Sequence, residues 1–264
     1  MTSSLWPHLI AAACVIPAAV VAWRGAREAP FWAVFGFAAL AATGWAAAQQ
    51  GSAWSAGFGA ALWLTVAATL VIYLVLCLVL SEMRQVGCLL APYMAFLALA
   101  AAVWSQAPGR PLSEETALGW FGIHVTLSLG TYVFLTLAAV AGAAVVLQER
   151  ALKRREPGRL TNLLPSLSDS EQLEYRMLGA GEVILAAAIV TGMGAQYAAD
   201  GSLIDLNHKT ILTIAAFLVI GALLFARQRW GTRGRLAARY VLIGYLLVTL
   251  AYPGVKFVTD VLIS

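Results

Sequence analysis

The chain has 264 residues, of which 61% are hydrophobic and 11% charged, and its mean hydropathy is +0.81. Too few polar side chains remain to wet a globular surface, so the composition excludes a soluble domain. A formal net charge of +4 calls for no nucleic-acid partner, because the positions of the basic residues follow a membrane pattern.

Crossing about 30 Å of hydrocarbon takes roughly 20 apolar residues. Eight runs reach that length, at about 6–23, 31–48, 58–80, 86–105, 119–147, 176–198, 209–226 and 237–261. They predict an all-α, polytopic integral membrane protein with eight transmembrane helices, a single transmembrane domain over 1–264. Its first four spans lie in 1–105, and a second four-span half occupies 119–264 with a cytoplasmic loop at 149–175. The first run has no basic region before it and is read as a retained span instead of a cleaved signal.

An even number of spans puts both termini on one side, and basic residues in short loops stay in the cytoplasm. With the N- and C-termini outside, in the periplasm, fourteen of the 17 basic residues fall inside, among them Arg24, Arg84, Lys153, Arg176, Arg227 and Arg239. Only Arg110, Lys209 and Lys256 remain outside. The expected location is a bacterial inner (plasma) membrane, with the lipid bilayer as first partner and a basic rim facing anionic headgroups. Cys14, Cys77 and Cys88 show no C-x-x-C spacing and read as small core residues.

The cytoplasmic loop opens on the basic run Arg150 to Arg155 and continues to Ser168-Asp169-Ser170-Glu171, which can cap a short helix feeding the sixth span. It reads as an amphipathic linker on the membrane surface, with docking of a soluble partner as the other reading.

The fifth span carries a polar stripe: His124, Ser128 and Thr131 stand at i, i+4 and i+7 and share a helix face. Polar groups in hydrocarbon point at other helices or at a cavity, and a histidine there serves either as an interhelical hydrogen-bonding residue or as a ligand. His208 follows Asn207, a good N-cap for the seventh span, and sits at the same outer level. The partial positive charge of a helix start keeps that imidazole neutral and able to coordinate. With Lys209 beside it, the same end suits a porphyrin propionate. The pair therefore fits a haem iron, although His208 also reads as an ordinary interfacial residue.

Four ordered segments resemble the cytochrome c assembly membrane protein family, the haem handlers CcsA, CcmC and CcmF, over roughly residues 120–260. They are His124-Val125-Thr126 with Thr131-Tyr132; Leu164-Pro165-Ser166-Leu167 with Tyr175-Arg176 and then Thr191-Gly192; Gly231-Thr232-Arg233-Gly234-Arg235; and Tyr252-Pro253-Gly254-Val255. The resemblance implies haem binding, with cytochrome c assembly or haem-synthesis proteins as partners, and adds Thr131 and Tyr132 to the cofactor-binding set. The chain departs from the full haem handlers in lacking their Trp-rich Trp-Asp-Pro-Lys-Glu segment and two further histidines. Asn207-His208-Lys209-Thr210 instead matches the short branch of YpjD and HemX. The missing Trp platform argues against full ligase activity.

Around the two histidines, Trp120, Phe121, Tyr197 and Tyr252 offer apolar walls, and Lys209, Arg110 or Lys256 offer propionate partners. Aromatic residues also belt membrane interfaces for their own sake. His8 reads as a wet interfacial residue. Glu182 is the one acid well inside a span, and a proton-coupled transporter would need more in series. No soluble-enzyme motif is present, so no turnover is expected. The sequence thus predicts an accessory protein, not an enzyme, holding non-covalent b-type haem between His124 and His208 at the periplasmic side. The alternatives are a membrane regulator of a haem-biosynthesis enzyme acting through the loop, a small-solute transporter, or a structural membrane partner.

Overall fold

The computed structural model describes residues 5–258 apart from 26–27, 51–53, 56, 107–110, 113–118, 157, 203–204 and 206. Arg110 and the side chain of Lys256, both proposed as propionate partners, lie outside the described residues. Helices dominate: α1 (Leu5–Ala13), α2 (Ile16–Trp23), α3 (Glu28–Gln50), α4 (Phe58–Val79), α5 (Met83–Val103), α6 (Trp120–Arg154), α7 (Arg159–Leu163), α8 (Leu167–Asp200), α9 (His208–Trp230), α10 (Gly234–Thr249) and α11 (Val255–Phe257). Two strands of two residues each, Trp54–Ser55 and Pro111–Leu112, stand beside them.

Among the described residues, eight helical segments are long and apolar enough to cross a membrane, as expected from hydropathy. Their outward faces carry large apolar side chains, such as Leu40, Leu78, Val183 and Leu218, that a lipid environment accepts and water would not. Boundaries differ from the sequence expectation where the chemistry is local. The first span is two helices, because Pro17 at the start of α2 has no N–H to continue the ladder from α1. The sixth span begins at Leu167, so the segment expected to form a separate capped helix is its first turn. The last span ends in a π turn, Leu250–Gly254, around Pro253.

The chain packs as two compact units. One comprises 1–111, 151–166 and 256–264; the other comprises 112–150 and 167–255. In the first unit, Phe31, Phe35 and Tyr73 pack ring against ring, and the Tyr73 hydroxyl donates to the Arg84 carbonyl at 3.1 Å. Gly87 leaves room for that hydroxyl. At the same end Glu28 pairs with Arg84 at 2.6 Å. Helix α7, from the loop between the fifth and sixth spans, rests there too: Leu163 Cδ2 lies 3.0 Å from the position a Cβ would take on Gly25, and Arg159 donates to the Trp23 carbonyl at 3.4 Å. His8 is also buried in this unit, against the expectation of a wet interfacial residue, with its ring edge-on to Trp45 and centroids 4.9 Å apart.

In the second unit the middle of α6 is buried, from Thr131 to Val145 with few breaks. Small residues set the helix separation. Leu135 fills the space over Gly181 of α8, and Ile220 of α9 fills the space over Gly244 of α10.

Candidate functional site

At one end of the second unit, helices α6, α8 and α9 enclose a cavity of about 260 Å³. Its wall combines His124, Gln196, Asp205, Asn207, Lys209, Thr210 and Thr213 with Gly192 and the apolar Ile189, Met193 and Ile214. Asn207 caps α9 as the sequence predicts, its side-chain oxygen accepting from the Thr210 N–H at 3.0 Å. That cap fixes where the helix starts, and so places Lys209 and Thr210 on the cavity rim.

His124 is held from α8. Its Nδ1 lies 2.8 Å from the Ala188 carbonyl oxygen, and because a carbonyl only accepts, Nδ1 carries the proton. The tautomer is thereby fixed, and Nε2 is left with its lone pair, which is the arrangement found behind metal-ligating histidines. The Ala188 carbonyl also accepts from the Thr191 hydroxyl at 3.1 Å. Gly192 makes the approach possible: a Cβ there would sit 2.9 Å from His124 Cε1. Two residues on, Gly194 does the same for the Trp120 ring, 3.2 Å from a Cβ at that position. The Thr191-Gly192 pair singled out in the sequence thus bears directly on His124.

The other sequence-selected residues fall elsewhere. His208 is exposed at the start of α9 and does not line the cavity, although Asn207 and Lys209 on either side of it do. Thr131 and Tyr132 are buried about two turns deeper along α6. The Tyr132 hydroxyl lies 3.0 Å from that of Tyr245, joining α6 to α10. Tyr197, Trp120, Phe121 and Tyr252 are exposed. Glu182 faces Gly221 of α9, where a Cβ would come within 3.0 Å of its Oε1, and its Oε2 is buried without a partner.

The opposite end of this unit holds a polar cluster that sequence reasoning missed. Glu174 is fully buried and pairs with Arg227 at 3.0 Å. Arg227 also donates to the Glu171 carbonyl at 2.6 Å, and its guanidinium lies over the Tyr175 ring at 4.9 Å. The Glu171 carboxylate accepts from the Gly234 N–H at 3.0 Å. Gly234 has φ +66°, which brings its N–H round to that acid, and Gly231 has φ +68° at the end of α9. The Gly-x-Arg-Gly-Arg segment is therefore a tight turn tied to α8.

The family profile described as cytochrome C assembly protein matches residues 54–263. The chain belongs to the cytochrome C assembly protein family. An uncharacterized 28.8 kDa protein of Azospirillum brasilense is 43% identical over the whole of both chains. The inner membrane protein YpjD of Escherichia coli K12 is 26% identical, covering 72% of each chain. The cytochrome c biogenesis protein CcsA of a Synechococcus strain is 25% identical over 55% of each. No solved structure matches. With eight spanning helices and this kinship, the family member described here is a multi-pass protein of the inner membrane.

Proposed function

We propose that this protein holds non-covalent haem at the cavity beside α9, on the periplasmic side, as an accessory of cytochrome c assembly without a reaction of its own. The observation that carries the reading is the 2.8 Å contact of His124 Nδ1 with the Ala188 carbonyl, which places the proton on Nδ1 and, in the neutral ring, leaves Nε2 to coordinate. The remaining wall suits the same cargo. Ile189, Met193 and Ile214 are apolar, while Lys209 and the first turn of α9 favour a carboxylate against the opposing charge of Asp205 on the same wall.

When bound, haem would supply an iron centre whose potential follows its axial ligands. The residues' own contributions are separable. His124 would coordinate, Gly192 and Thr191 would keep its ring in place, and Lys209 would orient a propionate. His208, exposed at the start of α9 and outside the cavity lining, would have to turn toward the cavity to serve as the second imidazole. The orientation rests on the basic residues gathered at the other ends of the spans. The family membership and the printed name of the CcsA relative support the assembly role.

Absorption spectra of the purified protein, oxidised and dithionite-reduced, test this directly. A bis-imidazole spectrum lost in His124→Ala and altered in His208→Ala is expected. A protein that stays colourless after haem reconstitution sinks the reading.

A further inference from the structure

The polar cluster at the end of the second unit away from His124 borders a cavity of about 440 Å³. Its lining is polar throughout: Ser168, Glu171, Gln172 and Tyr175 from α8, Arg227 and Gln228 from α9, and Arg233 from the turn between α9 and α10. Arg227 is neutralised by Glu174, which is fully buried and does not line the cavity. That leaves one lining residue of each sign, Glu171 and Arg233. The turn fixes both. Gly231 and Gly234 take left-handed backbones on either side of Arg233, which is itself extended at φ −142° and ψ 178°. The N–H of Gly234, the next residue, donates to the Glu171 carboxylate at 3.0 Å. The backbone that carries the guanidinium is thus bonded to the acid, yet among the described residues Arg233 and Glu171 form no ion pair with each other or with any other group.

Two opposite charges, anchored beside each other and unpaired on the wall of one cavity, match a ligand that carries both signs. A guanidinium presents parallel N–H groups that suit a phosphate, and a carboxylate accepts from an ammonium. The place in the fold narrows the ligand further. Exposed Phe225, Trp230, Leu236 and Tyr240 surround this end of α9 and α10, the mixture found where spans meet lipid headgroups. We infer that the cavity binds the headgroup of an aminophospholipid, with the phosphate on Arg233 and the primary ammonium on Glu171, while Ser168, Gln172 and Gln228 supply neutral hydrogen bonds. A choline head has no N–H to give Glu171. An anionic lipid would set its phosphate before this acid with no cation of its own between them. The site gives the Gly-x-Arg-Gly-Arg turn a binding role, and it stands or falls independently of the haem cavity.

The test is native mass spectrometry of the full chain, delipidated in detergent and then given equimolar phosphatidylethanolamine, phosphatidylcholine and phosphatidylglycerol with the same acyl chains. One phosphatidylethanolamine retained per chain, preferred about fivefold or more over either rival, is expected. Arg233→Gln and Glu171→Gln should each weaken its retention roughly tenfold, the usual worth of a hydrogen bond to a charged group. Glu171→Gln keeps an oxygen that can accept from Gly234, and a melting temperature within error of wild type shows that the turn is intact. Arg229→Gln, exposed at the same end but outside the cavity lining, should retain the full preference. Phosphatidylglycerol or phosphatidylcholine held as well as phosphatidylethanolamine overturns the site. So does an unchanged preference in Arg233→Gln and Glu171→Gln, or an equal loss in Arg229→Gln, which would reduce the effect to the basic rim as a whole. Phosphoethanolamine in excess should fail to displace the lipid; displacement would assign the cavity to a soluble zwitterion and overturn the lipid assignment.

Discussion

Glu174 and Arg227 are joined at 3.0 Å across helices α8 and α9, with no part of the acid exposed. Removing one member leaves the other charge buried without its partner, which costs roughly 3–5 kcal/mol, whereas replacing both with apolar residues costs far less. Glu174→Leu and Arg227→Met should each lower resistance to detergent unfolding by about that amount. The double variant should recover most of it. Additive losses would show that the two side chains act separately.

The contact between Gly192 and His124 makes a prediction about binding instead of folding. Gly192→Val places side-chain atoms where the imidazole ring lies, since even a Cβ comes within 2.9 Å of it. Haem titration of this variant should show at least a tenfold loss of affinity on the proposed reading, because a displaced ring no longer presents Nε2. Gly179, on the same helix, has open space around its Cα. Gly179→Ala should leave the titration unchanged.

Two glycines with left-handed backbones separate conformational strain from collision. At Gly231 a Cβ meets nothing, so alanine there costs only the backbone penalty, about 1–2 kcal/mol. At Gly234 the same penalty applies and the Cβ would also lie 2.6 Å from Glu149 Oε1. Unfolding measurements should therefore rank Gly234→Ala as the more damaging. Equal losses would mean that Glu149 moves aside freely.

Docking of α7 on the first unit depends on Leu163 and on the absence of a side chain at Gly25. Leu163→Asp should release this helix and speed tryptic cleavage between Arg154 and Arg159 severalfold, without changing the melting temperature by more than a few degrees. Cleavage at the wild-type rate would show that the loop is held by something other than this contact.

The spans were legible because hydrocarbon imposes a length and a composition that any window of sequence displays. Asn207 was legible as well, since a cap acts on residues two or three places away. The Glu174–Arg227 pair was not: its partners lie 53 residues apart, and each looks like an ordinary charge near the end of a span. His124 stood out through its polar stripe, but the carbonyl that sets its tautomer belongs to an alanine, a residue whose side chain signals nothing. His8 was misread for the same reason. Its burial depends on Trp45, which no local pattern connects to it.

The turn between α9 and α10 has only three residues, Gly231 to Arg233. A connection that short cannot leave one helix in the aqueous phase while the other crosses the bilayer. The last two spans therefore form a single helical hairpin whose members cross the membrane together. Their arginines, Arg227, Arg229, Arg233, Arg235 and Arg239, all gather at the turn end of that hairpin, and any of those charges is costly to carry through hydrocarbon.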